Sequence, residues 1–266
     1  MIIPHLTGQQ WVLAAAAAVM IGFSKTGVPG FGMLAVPVLA LAFGGRGSLG
    51  TMLPMLIAAD LFAIAWYRRH ARWDLLLGLS GWVLVGCAVG TATLWLMAMH
   101  PDGPDWPGFS IGVLVLGMLG LHLHRRRIDP GDGTAKRMGS PVAGASAGFA
   151  TTVSNAAGPI TTLYLSSAGL DKNEFMGTSA WFYFFFNLLK LPIYLLVGTF
   201  AASPPLLNSA SLGINAVVAP GIVVGAIVGR LFLPVISQRL FEDAVIGLAA
   251  LASVKLIVDF VTAWPH

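Results

Sequence analysis

The sequence predicts an all-α, polytopic membrane protein with two homologous halves, each a broken helical segment followed by three transmembrane helices. Of the 266 residues, 56% are hydrophobic and only 10% are charged, and the mean hydropathy is +0.81. A soluble domain carries about 25% charged residues. Apolar stretches of the ~20 residues that cross a bilayer recur along the chain. The formal net charge of +4 is concentrated in two loops, so it indicates membrane topology rather than nucleic-acid binding.

The first half begins with a hydrophobic segment, about Trp11 to Phe43, that polar and helix-breaking residues interrupt. The interruption reads Gly22-Phe23-Ser24-Lys25-Thr26-Gly27-Val28-Pro29-Gly30. Pro29 forbids a continuous helix, and the glycines let the backbone bend. Unwound backbone at membrane depth must be buried in protein or line a wet cavity, so we expect a binding-site tip here. The segment lacks a basic leader and a cleavage site, so we interpret it as mature structure rather than a signal peptide.

The elements after this break follow the same order in both halves. A turn at Gly44 to Gly47 precedes helices at about Ser48 to Trp66, Trp73 to Met99 and Phe109 to Leu123. After the polar linker come a broken segment at about Val142 to Ser167, interrupted from Ser154 to Pro159, and helices at about Glu174 to Val197, Leu212 to Pro234 and Phe241 to Ala263. We therefore expect a first transmembrane repeat at 1–127, a cytoplasmic linker at 128–140 and a second repeat at 141–266.

A match in register supports the duplication. The matched pairs are Gly22 with Gly148, Gly32 with Gly158, Gly50 with Gly177, Asp60 with Asn187, Tyr67 with Tyr194, and the spaced glycines Gly86 and Gly90 with Gly225 and Gly229.

Two membrane topologies are compatible with this repeat. If each broken segment crosses the membrane, the halves are parallel and Lys172, Arg230 and Arg239 lie outside the cytoplasm. If each segment re-enters as a hairpin, the halves are inverted and these three residues join the cytoplasmic basic loops, which leaves only Arg46 outside. The inverted arrangement obeys the positive-inside rule better, so we prefer it, with both termini outside the cytoplasm. The sequence leaves open whether residues 11–43 and 142–167 cross or re-enter.

The two breaks carry the polar groups that could bind a substrate. The first offers an ammonium and two hydroxyls, and a helix beginning near Pro29 would point free N–H groups at the same place. The second supplies equivalent donors. Opposed tips of this kind would surround an anion. We predict substrate-binding residues Ser24, Lys25, Thr26, Gly27, Ser154, Asn155 and Gly158.

Three polar residues in the following helices could set the charge of this site. Asp60 and Asn187 occupy matched positions in mid-helix, and an ionisable residue inside the membrane indicates function. Asp60 could pair with Lys25 when the site is empty, carry a coupling proton, or form only a structural contact between helices. Lys190 either reaches the cavity or only hydrogen-bonds carbonyls freed by Pro192.

Other chemistry finds little support in the sequence. Gly144 to Gly148 matches G-x-S-x-G, but a nucleophile elbow needs a strand, a turn and a histidine partner, and this motif lies in a predicted membrane helix. We therefore predict no catalytic residues, no enzyme activity and no cofactor. No histidine, cysteine or carboxylate cluster with metal-ligand spacing is present, so we also predict no metal site.

The arrangement resembles the TauE/SafE family of sulfite and organosulfonate exporters. The resemblance rests on Gly22 to Gly32 followed by Pro37, the helix from Gly50-Thr51 to Asp60, the glycine-spaced third helix and their echo from Gly144 onward. It implies a multi-pass protein of a bacterial inner membrane that exports small sulfur-containing anions, with a proton or another ion as a possible coupling partner. A transporter of another small anion, such as a carboxylate, and a non-transporting membrane scaffold are the alternatives. The anion, direction, coupling ion and oligomeric state stay open.

Overall fold

Every element that the computed structural model describes is an α-helix or a short 3-10 turn. The described residues are 6–29, 31–99, 113, 116, 120, 139–199 and 206–262. The helices are α1 Gly8–Thr26, α2 Ala35–Tyr67, α3 Trp73–Met99, α4 Ser140–Ser154, α5 Gly158–Ser167, α6 Lys172–Thr199, α7 Ser209–Phe232 and α8 Gln238–Thr262. The 3-10 turns are Phe31–Leu34 and Arg68–His70. The predicted all-α class is therefore confirmed. Of the predicted helix at about Phe109 to Leu123, only residues 113, 116 and 120 are described, and all three are helical. Almost all of the linker lies outside the described residues.

The candidate membrane spans agree with a multi-pass protein. In the part of the chain that the structure describes, four helical stretches are long and apolar enough to cross a bilayer. They are Gly47–His70, Trp73–Leu96, Lys172–Leu196 and Ser209–Phe232. The helices α4 and α5, with 15 and 10 residues, are too short to be among them, which fits the two legs of a broken segment. The helices α1 and α8 are not among them either, although they have 19 and 25 residues.

The ends of the first broken segment follow from local sequence signals. Thr7 caps α1, because its hydroxyl accepts the backbone N–H of Gln10 at 3.2 Å while the Gln10 side chain accepts the Thr7 N–H at 2.9 Å. The helix ends at Thr26, with Gly27 as its C-cap, before Pro29. The expected turn at Gly44 to Gly47 is instead a kink within α2, where only Gly44 leaves helical geometry, with a φ of +72° and a ψ of +170°. Glycine adopts this backbone conformation without steric cost.

Both broken segments fold back on themselves as helical hairpins. In the first, Gln10 near the start of α1 donates its side-chain N–H to the carbonyl oxygen of Ala42 at 2.9 Å, so the returning leg ends beside the start. In the second, the hydroxyls of Ser140 and Tyr164 lie 3.3 Å apart, which places the end of α5 beside the start of α4. Each segment therefore returns the chain to the side it came from, as the re-entrant alternative expects.

The basic helix ends gather at one end of the bundle. The Arg72 N–H donates to the Thr178 hydroxyl at 2.9 Å, which places the start of α6 beside the end of α2. Lys172 donates to the carbonyl oxygen of Ile236 at 2.6 Å, and Arg230 donates to the Tyr67 hydroxyl at 3.4 Å. These contacts favour the inverted arrangement, because in the parallel arrangement Lys172 and Arg230 would lie on the opposite side from Arg72.

Glycines let helices from opposite halves pack backbone to backbone. Between α3 and α4, a Cβ at Gly148 would overlap the carbonyl oxygen of Val83. Between α1 and α7, a Cβ at Gly225 would overlap the carbonyl oxygen of Val19. The glycine-spaced helix of each predicted half, α3 in the first and α7 in the second, thus packs against the broken segment of the other half. The two interfaces match each other, but such contacts do not establish a common origin, and the duplication stays a prediction.

Candidate functional site

A cavity lies between the two helix breaks, where the predicted tips meet. Its volume, taken as the space open to the centre of a water molecule, is about 50 Å³. One water needs ~10–15 Å³ on this measure, so the cavity has room for several. Its walls come from both breaks and from α2 and α6. The lining residues are Ser24, Lys25, Pro29, Gly32, Met52, Leu56, Thr151, Asn155, Gly158, Ser179, Ala180, Tyr183 and Asn187. The cavity is thus the place at which the two hairpins face one another.

The charged centre of this cavity is an ion pair between the first break and α2. The ammonium of Lys25 lies 2.8 Å from Oδ1 of Asp60. The side-chain amide of Asn187 donates to the other carboxylate oxygen at 2.6 Å. Asp60 is fully buried, whereas Lys25 is 11% exposed and lines the cavity. The ammonium is therefore the charge that a ligand in the cavity can reach.

An aromatic ring holds the same ammonium from another direction. Nζ of Lys25 lies 3.7 Å from the centre of the Tyr183 ring, within the range of a cation–π contact. Tyr183 belongs to the aromatic run of α6 and lines the cavity one helical turn before Asn187. Two residues of one face of α6 thus fix both members of the ion pair.

The second break is held by a second buried lysine. Lys190 is completely buried and donates to the carbonyl and hydroxyl oxygens of Thr151 at 3.0 and 2.9 Å and to Oδ1 of Asn155 at 2.6 Å. All three acceptors lie in or directly after the last turn of α4. Lys190 therefore caps this helix end and occupies the amide oxygen of Asn155. The NH₂ group of Asn155 donates to the carbonyl oxygen of Leu49 at 3.5 Å, a long hydrogen bond that a ligand in the cavity could replace.

The predicted site residues divide into two groups. Ser24, Lys25, Asn155, Gly158 and Asn187 line the cavity. Gly158 begins α5, so the positively polarised N-terminus of that helix lies at the cavity wall.

The other predicted substrate-binding residues face helix contacts instead. The fully buried hydroxyl of Thr26 donates to the carbonyl oxygen of Ala226 at 2.7 Å. Gly27 packs against Gly229 of α7, where a Cβ would meet the backbone of its neighbour. The hydroxyl of Ser154 donates to the carbonyl oxygen of Ala150 within its own helix at 3.1 Å. None of these three residues is among the lining residues, because adjacent positions of a helix point in different directions.

Sequence reasoning missed some lining residues. The most polar of these are Thr151, Ser179 and Tyr183. A signal for Thr151 was available, since the offset that places Gly22 on Gly148 also places Lys25 on Thr151. Ser179 and Tyr183 lie one turn apart on the helix that carries Asn187, so extending the helical face of Asn187 would have found them.

Matched tyrosines support both tips. The Tyr67 hydroxyl donates to the carbonyl oxygen of Thr26 at 2.8 Å, and the Tyr194 hydroxyl donates to that of Thr152 at 3.0 Å. Each bond satisfies a carbonyl in the last turn of a helix that ends inside the bundle, where an unpaired carbonyl is costly. Specific hydrogen bonds therefore hold both helix breaks in place.

Comparison with known proteins identifies the family. The model of the family described as Sulfite exporter TauE/SafE matches residues 14–256. No curated protein and no solved structure matches the chain. The family match extends over both helix breaks and every cavity-lining residue. Two helices that line the cavity, α2 and α6, contain stretches apolar enough to span a bilayer. The chain is a multi-pass membrane protein of the TauE/SafE sulfite exporter family, which is a family of transporters.

Proposed function

We propose that this chain is a secondary transporter that exports small sulfur-containing anions, such as sulfite or organosulfonates, across a bacterial inner membrane. One observation carries the proposal: the ammonium of Lys25 lines a cavity whose walls come from both helix breaks. A site between two opposed hairpins is the usual place for a substrate in transporters with interrupted helices. A buried ammonium at such a place favours an anion.

The donors around the cavity fit an oxyanion. A sulfonate or sulfite group presents three acceptor oxygens, and charge-assisted hydrogen bonds to such oxygens are the strong ones. Lys25 supplies the charge, the Ser24 hydroxyl and the NH₂ group of Asn155 supply further donors, and Gly158 brings the N-terminus of α5. These groups come from the two tips, so a bound anion would connect both halves of the protein.

Asp60 serves as an internal substitute for the substrate. Its carboxylate lies 2.8 Å from the Lys25 ammonium and neutralises it, and an arriving anion competes for the same ammonium. The pair therefore lowers the cost of leaving a buried lysine without a substrate. Alternating access follows if one hairpin and its helices rock against the other around this point. Outward movement of an anion is favoured by a membrane potential that is negative inside.

The proposal is tested by anion efflux from proteoliposomes. Removing only Lys25 would leave Asp60 as an unpaired buried charge, so the double variant Lys25→Met with Asp60→Asn is the better test. We expect it to fold and to lose transport of sulfite and simple organosulfonates. Lys255→Met, which removes a lysine of α8 outside the lining residues, is the matched control and should transport normally.

The outcome also separates the alternatives. Full transport by a folded double variant would refute the assignment of Lys25 to the substrate. Transport of carboxylates but not of sulfur anions would change the substrate class. A wild-type protein that moves no anion in sealed vesicles would instead indicate a scaffold.

A further inference from the structure

The balance of buried charge beside the cavity carries one more inference. We define the charge cluster as Lys25, Asp60, Asn187 and Lys190. We propose that this cluster selects monovalent sulfur oxyanions, such as hydrogen sulfite and simple organosulfonates, and that the Asp60 carboxylate excludes divalent ones such as sulfate and thiosulfate. This inference rests on the proposed function, because it requires the anion to lie beside Lys25. What it adds is a statement about the charge of that anion.

The cluster is buried deeply enough for formal charge to decide binding. The side chains of Asp60 and Lys190 have no exposed surface, and that of Lys25 is 11% exposed. Salt screens buried charges much less than exposed ones. An uncompensated charge in such a place is costly, so binding of an ion depends on the charge already present.

Two ammonium groups share one carboxylate in this cluster. Lys25 pairs with Asp60, whereas Lys190 donates only to neutral oxygen atoms of Thr151 and Asn155. Among the described residues, Lys190 forms no salt bridge with a carboxylate. Lys190 lies one helical turn after Asn187, which donates to Asp60, so its side chain belongs to the same cluster. With both lysines protonated and Asp60 ionised, the cluster has one excess positive charge, which a single negative charge neutralises.

A second negative charge on the substrate would have no partner. A monovalent anion shares Lys25 with Asp60 and leaves the cluster neutral. A divalent anion would place excess negative charge beside the carboxylate, which lies 2.8 Å from the ammonium that both must share. Like charges a few ångströms apart in a buried site repel strongly. Asp60 therefore acts as the residue that determines substrate charge.

Asn187 makes this argument testable without removing the hydrogen bond. Because Asn187 donates to Asp60 at 2.6 Å, exchanging the two residues moves the carboxylate across one hydrogen bond, from α2 to α6. The exchange, Asp60→Asn with Asn187→Asp, keeps the formal charge of the cluster. Asp60→Asn alone adds one positive charge. Asn187→Asp alone is not part of the series, because it would put two buried carboxyl groups in contact, where they share a proton. The series changes charge while it nearly preserves shape.

The experiment compares methanesulfonate and sulfate, which are tetrahedral oxyanions of similar size and different charge. Their affinities are measured by thermal stabilisation of the purified proteins, and their transport is measured in proteoliposomes. We expect the wild type to bind methanesulfonate about tenfold more tightly than sulfate, and Asp60→Asn to shift the ratio about tenfold or more toward sulfate. The exchanged protein should return to the wild-type ratio.

Any other result contradicts either the inference on charge or the proposed function. A wild-type preference for sulfate, or a ratio that Asp60→Asn does not change, overturns the inference on charge and leaves the anion transporter in place. Failure of the wild type to bind or transport either anion overturns the proposed function and this inference together. If Asp60→Asn does not fold, Lys190→Met decides, because it removes one positive charge from the cluster: it should weaken sulfate binding more than methanesulfonate binding, and equal weakening overturns the inference.

Discussion

Replacing Lys25 by methionine should destabilise the fold, because it leaves the buried carboxylate of Asp60 without its ammonium partner. Asp60 is fully buried, and its two neighbours are the ammonium at 2.8 Å and the Asn187 amide at 2.6 Å. Breaking a buried ion pair by removing one partner typically costs ~3–5 kcal/mol. Because the amide of Asn187 stays in place, we expect the lower part of this range, about 3 kcal/mol.

The reverse single change should be milder. In Asp60→Asn the ammonium keeps the Tyr183 ring at 3.7 Å, and a cation–π contact contributes ~0.5–2 kcal/mol. Lys25 also lines the cavity, where water can solvate it. The double variant removes both charges, and replacing a buried pair by neutral groups is often neutral. We therefore expect Lys25→Met with Asp60→Asn to be more stable than Lys25→Met alone, with a coupling of about 2 kcal/mol.

The assay is equilibrium unfolding in mixed micelles, with SDS as the denaturing detergent and tryptophan fluorescence as the signal. All four proteins of the double-mutant cycle are compared under one condition, so that effects of the micelle cancel. If the costs of the two single variants simply add in the double variant, the ion pair is not energetically coupled. That outcome would refute both the stability argument and the role of Asp60 as a substitute for the substrate.

Two further predictions concern packing and the second tip. Gly148→Val should prevent correct folding, because its side chain would overlap the carbonyl oxygen of Val83. Gly78→Val is the control, because its side chain has open space, and it should elute normally in size-exclusion chromatography. A normal elution profile of Gly148→Val would contradict the close packing of α3 and α4. Lys190→Met should lower anion affinity about tenfold in thermal-shift titrations, because Asn155 loses the donor that orients its amide; unchanged affinity in a folded variant would show that this orientation is unimportant.

Much of the site was predictable because membrane helices restrict where polar groups occur. In the first segment a lysine and a proline stand among glycines, and this combination indicates a break. A lysine and a proline alone do not, because α6 contains Lys190 and Pro192 and stays continuous. The break at Lys25 and the matched positions of Asp60 and Asn187 led to a pairing of Lys25 with Asp60, and the structure contains this ion pair. The second break was predictable from Ser154 to Pro159 in the same way.

Side-chain direction was not predictable at the same positions. Ser24 and Lys25 line the cavity, but the next residue, Thr26, donates to a carbonyl of α7. Successive residues of a helix differ by ~100° in direction, so the break alone does not say which of its residues face the cavity. Lys190 shows the same limit: its partners belong to α4, which is distant in sequence.

The sequence by itself determined the membrane class, the order of the helices, the two breaks and the family resemblance, because these depend on composition and on spacing along the chain. Only the tertiary structure decided that both broken segments return as hairpins, that α3 packs on α4 and α1 on α7, and that Thr151 and Tyr183 join the cavity wall. These features arise from contacts between residues far apart in sequence. A pattern along one helix does not specify which other helix lies against each of its faces.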